Sequence, residues 1–291
     1  MEFLSYLISG ISLGSVYAII ALGYTMVYGI AKMLNFAHGD VIMVGGYISF
    51  IAMQHKVPTL PAIIISMVVC TVLGIVIEAL AYKPLRRATS LAVLITAIGV
   101  SYLLQNAALL IWGANPKSYT PIVDGQIEIF DGQLKISYVT VITVAACVVI
   151  AVALTLFTSK TKMGKAMRAC SEDKEAAQLM GINVNKTISL TFAIGSALAA
   201  VAGVLLCSFS PSLMPTTGSM PGIKAFTAAV FGGIGSIPGA FLGGILLGII
   251  ESLAKAYIST QLSNAILFAV LIIVLLVRPT GLLGKNIREK V

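Results

Sequence analysis

Apolar runs of about twenty residues recur along this chain, with almost no charge inside them. A bilayer leaves no water to satisfy exposed backbone, so a crossing segment must close its own hydrogen bonds. A helix does this with roughly 20 residues. Candidate spans cover 7–30, 41–53, 60–82, 91–112, 138–157, 188–209, 223–250 and 262–277. Only 10% of the residues are charged, far below the about 25% of a soluble domain. Two-residue alternation is missing, which argues against a membrane barrel. The expected class is all-α, a multi-pass helical integral membrane protein of about eight to nine spans forming one domain over residues 1–291.

Two spans fit badly. The run 41–53 is too short to cross unaided, and 223–250 is interrupted by Gly232-Gly233-Ile234-Gly235-Ser236-Ile237-Pro238-Gly239. Consecutive glycines and a proline break a helix. Broken helices at membrane depth survive only where protein covers them or a cavity runs beside them, and they point to transport paths. Asn35, His38 and Asp40 stand at the entrance to the short run. Polar groups there read equally well as caps of the following helix and as parts of a path or gate. With Gly232, Gly233, Gly235 and Pro238 they form the candidate translocation set. Glu78, near Lys83 and Arg86, reads as a snorkelling, salt-paired residue.

Basic residues cluster after three of the runs: Lys83, Arg86 and Arg87; the loop 158–186; and Arg278, Lys285, Arg288 and Lys290. By the positive-inside rule these loops and the C-terminus are cytoplasmic, and the loop 113–137 is external. In that loop Gly125 and Asp131-Gly132 flank short alternating stretches, predicting a small hairpin. Parity then requires 223–231 and 240–257 to be separate passes. At the other end, either the N-terminus is external or 35–53 is re-entrant. The first run is too long for a signal peptide and reads as a retained span. A net charge of +8 is dispersed over loops, not gathered into the continuous basic surface that a nucleic acid requires. Cys70, Cys147, Cys170 and Cys207 have neither metal-ligand nor disulfide spacing and read as buried small hydrophobes. His38 and His55 form no metal set.

The loop 158–186 holds the densest charge: Lys160, Lys162, Lys165, Arg168, Lys174 and Lys186 against Glu172, Asp173 and Glu175. Ser171 is placed to cap a helix whose first turn carries Glu172 and Asp173, where the dipole favours anions. Gly181 suits a left-handed C-terminus. Ala176, Leu179 and Met180 fall on one face of this helix of roughly nine residues. Alanines on that face permit close approach by another protein. No G-x-x-x-x-G-K-[ST] loop, G-x-S-x-G elbow or H-E-x-x-H pair occurs in the sequence. Uphill transport would therefore draw its energy from another chain. A self-sufficient carrier using Asp40, His38 and Glu78 is the competing reading.

Glu175-Ala176-Ala177-Gln178-Leu179-Met180-Gly181 has E-A-A-x-x-x-G spacing and resembles the cytoplasmic coupling loop of bacterial ABC importer permeases. The resemblance continues through 12–18, Asn35-Phe36-Ala37-His38-Gly39-Asp40, 163–169, 179–183, 224–239 and 278–284. It looks like the H-type permease of branched-chain amino acid importers. The general motif's distant I-x-L-P is absent at Thr191-Phe192-Ala193-Ile194. The resemblance implies a permease domain in the bacterial cytoplasmic membrane, without catalytic residues or a bound cofactor. ATP and magnesium would sit on two cytoplasmic ATP-binding partners, engaged through Glu175, Ala176, Ala177, Leu179, Met180 and Gly181. A homologous M-type permease and an extracytoplasmic binding protein would complete the importer, with membrane lipid around it. Leucine, isoleucine and valine are the expected substrates, with urea or short amides as the alternative.

Overall fold

The computed structural model describes residues 2–86, 88–129 and 134–284. The sequence's apolar runs emerge as helices: α1 (Glu2–Ala31), α2 (His38–Gln54), α3 (Thr59–Ile77), α4 (Ser90–Trp112), α5 (Tyr138–Lys160), α8 (Val184–Phe209), α9 (Ser219–Gly232), α10 (Ile237–Tyr257) and α11 (Ser263–Val277). Between α5 and α8 stand two short polar helices, α6 (Lys162–Glu172) and α7 (Lys174–Leu179). Among the described residues six helices are long and apolar enough to cross a membrane, the second of them, α3, extended through Tyr82. The shorter α11 is apolar as well, while α2 and α9, of 17 and 14 residues, are shorter than the roughly 20 a crossing needs.

The two ends of the bundle can be read from contacts. At one end Lys174 of α7 reaches the last carbonyl of α1, that of Ala31, at 2.8 Å. The same end holds the break after α9, where the Leu282 and Leu283 amides donate to Phe231 and Gly232. At the far end Tyr6 and Tyr257 pair with centroids 5.9 Å apart, and β1 (Lys117–Ser118) pairs with β4 (Ser212–Leu213). α1 therefore starts at the far end. α2 reaches the far end too, where Tyr47 stacks on Trp112 and Ser49 bonds Tyr119. The start of α1 thus lies at the end of the bundle opposite α7, and the segment 35–53 runs from the α7 end to the far end without returning to where it entered.

Small residues set the centre. In lipid the hydrophobic effect does not drive helices together, so close van der Waals approach does. Gly248 of α10 lies against the backbone of Gly14 in α1, leaving no room for a Cβ. α8 is 78% buried over its most apolar stretch against 11% for α4, so α8 is central and α4 faces outward. All four cysteines are free and buried, as small hydrophobes would be.

The hairpin expected in 113–137 is present as β2 (Gln126–Ile129) against β3 (Leu134–Ser137), antiparallel. Its Asp131-Gly132 turn lies outside the described residues, as do Arg87, Lys285, Arg288 and Lys290.

Candidate functional site

The loop 158–186 folds into two capped helices. Thr161 caps α6, its hydroxyl accepting from the Gly164 amide at 2.9 Å. Asp173, not Ser171, caps α7: its Oδ1 accepts from the Glu175 and Ala176 amides at 2.8 and 3.0 Å. Ser171 instead ends α6, donating to the Arg168 carbonyl at 2.7 Å. The reason is the chain break at Asp173, whose extended φ of −152° ends one helix and starts the next. The expected helix of roughly nine residues is α7, of only 6, and the basic stretch upstream of it is a separate helix, α6, of 11. Gly181 has the expected left-handed φ of +81°.

The faces divide cleanly. Ala177 turns inward and joins Met167, Cys170, Met26 and Ile30 in a small apolar cluster that seats α6 and α7 on the last turns of α1. Leu179 and Met180 turn outward, 89% and 82% exposed, beside exposed Glu175 and Ala176. Two large apolar side chains held in water by a rigid, capped helix are costly unless something covers them. Burial raises the Cys170 thiol's pKa and lowers that of the Lys174 ammonium, which also feels Arg86 and Lys32.

A chain of polar contacts surrounds this seat. Beyond Ala31 the backbone turns at Lys32, a non-glycine residue with φ +58°. Asn35 then accepts from the Tyr82 hydroxyl at 2.9 Å. Tyr82 closes a π-helical turn, Glu78–Tyr82, on the end of α3. Glu78 is buried, pairs with Arg86 and accepts from Ser189 at 2.6 Å. Arg86 also bonds Asn185 in α8. The salt pairing expected of Glu78 is present, but the side chain does not snorkel: it is only 1% exposed because α8 covers it.

The candidate path residues are distributed along the bundle. Neither Asn35 nor Asp40 caps α2, whose N-cap position, Ala37, has no side-chain bond. His38 is buried against Tyr24, with centroids 4.7 Å apart. Asp40 accepts from Gln105 Nε2 at 2.9 Å, and that nitrogen also reaches Ser101 and Ser219, both at 3.2 Å. Gly232, Gly233, Gly235 and Pro238 lie elsewhere, at the α7 end. Gly233 (φ +108°) packs on Gly281 and Gly284. Gly235 and Pro238 border a cavity of about 260 Å³ with Thr25, Gly29, Arg168 and Ser171.

Sequence reasoning passed over a buried charge cluster. Glu251 of α10 accepts from Lys224 of α9 at 2.7 Å, from Lys255 at 2.6 Å and from the Tyr17 hydroxyl of α1 at 2.9 Å. The signal was available, since ionisable residues inside apolar spans are rare and paired. It also passed over Lys174 as a contact. A cation in the first turn opposes its own helix dipole, which hints that it serves another helix's C-terminus.

Six spanning helices among the described residues, packed around buried polar clusters, define a multi-pass helical membrane protein. The family model described as branched-chain amino acid transport system / permease component matches residues 6–275, and the chain belongs to that family. The high-affinity branched-chain amino acid transport system permease protein BraD of Pseudomonas aeruginosa is 46% identical over 100% of this chain and 98% of its own length. The LivH proteins of Escherichia coli K12 and Salmonella typhimurium, of the same description, are each 45% identical with the same coverage. The chain is thus a transport permease of this family.

Proposed function

We propose that this chain is the H-type transmembrane subunit of an ATP-driven importer for leucine, isoleucine and valine. The observation that carries the reading is 46% identity to a branched-chain amino acid permease across the whole chain. The alternatives of urea, short amides or a stand-alone carrier have no comparable support. A homologous M-type permease, two ATP-binding subunits and an extracytoplasmic binding protein complete the assembly. ATP and magnesium belong to the partner ATPase.

In this reading the protein lies in the bacterial cytoplasmic membrane with α7 and the C-terminus in the cytoplasm, which the basic loops support. Glu175, Ala176, Ala177, Leu179, Met180 and Gly181 form the ATPase-coupling element. Ala177 seats it, and Leu179 and Met180 enter a groove on the ATPase. Asn35, His38, Asp40 and the 232–238 break belong to the moving parts around the path. Asp40 with Gln105 and Ser219 supplies polar character at the start of α9, where a zwitterion's charged ends require it.

The test is reconstitution of all five parts in liposomes. Leucine uptake should need ATP and the binding protein, and should fail when the ATPase is omitted. Gradient-driven uptake by this chain alone, or uptake of urea without leucine, contradicts the reading.

A further inference from the structure

The docking of α7 leaves open how its movement reaches the spans. We propose that Lys174 is the positioning residue that transmits it, pulling on the C-terminus of α1 through the Ala31 carbonyl. This rests on α7 being the ATPase-docking surface. Lys174 and the exposed pair lie on the same one-and-a-half-turn helix, so displacement of Leu179 carries Lys174 with it. The Nζ donates to Ala31 O at 2.8 Å, one of the carbonyls that a helix leaves without an intrahelical donor. A cation is favoured there by the dipole of the 30-residue α1.

What α1 touches makes this bond consequential. α1 packs along α10, α8, α9 and α5. From Ala31 the chain passes through the left-handed Lys32 to Asn35 and into His38 and Asp40. Asn35 is held by Tyr82, and Tyr82 lies in the same π-helical turn as Glu78, which Arg86 ties to Asn185 of α8. These contacts form a polar arc from α7 through the α1 terminus and the α3 turn to α8. The neighbouring apolar cluster of Met26, Ile30, Met167, Cys170 and Ala177 supplies cohesion without direction. The Lys174 bond is directional, so it can report the sense of a displacement. π-turns recur at functional sites, and one stands in this arc.

The experiment uses the complete importer in proteoliposomes with leucine as substrate. It compares Lys174→Met, Lys174→Arg and Leu179→Asp with the parent. Three quantities are read: ATPase subunit co-purified per permease, ATP hydrolysis with loaded binding protein, and leucine transported per ATP hydrolysed. Lys174→Met should keep the bound ATPase and the thermal midpoint while leucine per ATP falls on the order of tenfold. Lys174→Arg, which keeps a cationic donor, should restore most of the ratio. Leu179→Asp should lose the ATPase itself. An unchanged ratio in Lys174→Met overturns the proposal, as does loss of ATPase with the ratio per bound ATPase intact. Retention of the ATPase by Leu179→Asp instead sinks the docking reading, and the Lys174 role with it.

Discussion

Lys174 and Lys224 both direct an ammonium group into the protein, yet they sit in opposite surroundings. Lys224 meets the carboxylate of Glu251, which is itself fully buried and shared with Lys255 and Tyr17. Among the described residues Lys174 bonds a backbone carbonyl alone, on a short helix that leaves Leu179 and Met180 exposed. Removing one partner of a buried ion pair strands the other without solvation. Removing a half-exposed donor to a carbonyl leaves water free to replace it. The first arrangement fixes α1, α9 and α10 together; the second can let go and re-form. A lock and a linkage are thus built from the same residue type, distinguished by what surrounds it.

Breaking the lock should have the largest effect. Glu251→Gln leaves Lys224 buried without an anion and should cost about 3–5 kcal/mol, read as a steep fall in the thermal midpoint in detergent. A variant as stable as the parent would show that the cluster does not hold α9 to α10. Next, Leu179→Asp should reduce ATPase co-purification more than about tenfold, the loss expected of a docking anchor, with the midpoint unmoved. Equal loss of stability and docking would erase the contrast between the two regions.

Smaller effects follow. Gly181→Ala places a Cβ at φ +81° and should cost roughly 1–2 kcal/mol locally, seen as faster hydrogen exchange in α7 only. Finally, burial together with Arg86 and Lys32 lowers the Lys174 pKa, only partly offset by Cys170. Its charge is therefore lost at lower pH than that of an exposed lysine. Leucine per ATP should decline as pH rises through that lowered value, and Lys174→Arg should flatten the decline. A pH profile identical in both proteins removes charge from the Lys174 bond.

The spans, the interruption at 232–239 and the turn at Gly181 were legible because each depends on local chemistry: apolar length, glycine and proline, a left-handed backbone. The Asp173 cap was misassigned to Ser171, because both are good caps and only the break between α6 and α7 chooses. The pairing of Lys224 with Glu251 joins residues 27 positions apart, and that of Lys174 with Ala31 joins residues 143 apart. No periodicity connects such positions. His38 and Asp40 lie apart from Gly232–Pro238 in the fold, a separation in depth that chain order near a short helix does not give.

The central claim is that the outward face of α7 seats an ATP-binding subunit. A photo-reactive amino acid at Leu179 in the assembled importer tests it most directly. Crosslinking should capture the ATPase subunit, and an otherwise identical probe at Ala177, which faces the Met26–Ile30 cluster, should not. Capture of lipid or the binding protein from Leu179, with no ATPase, would contradict the account.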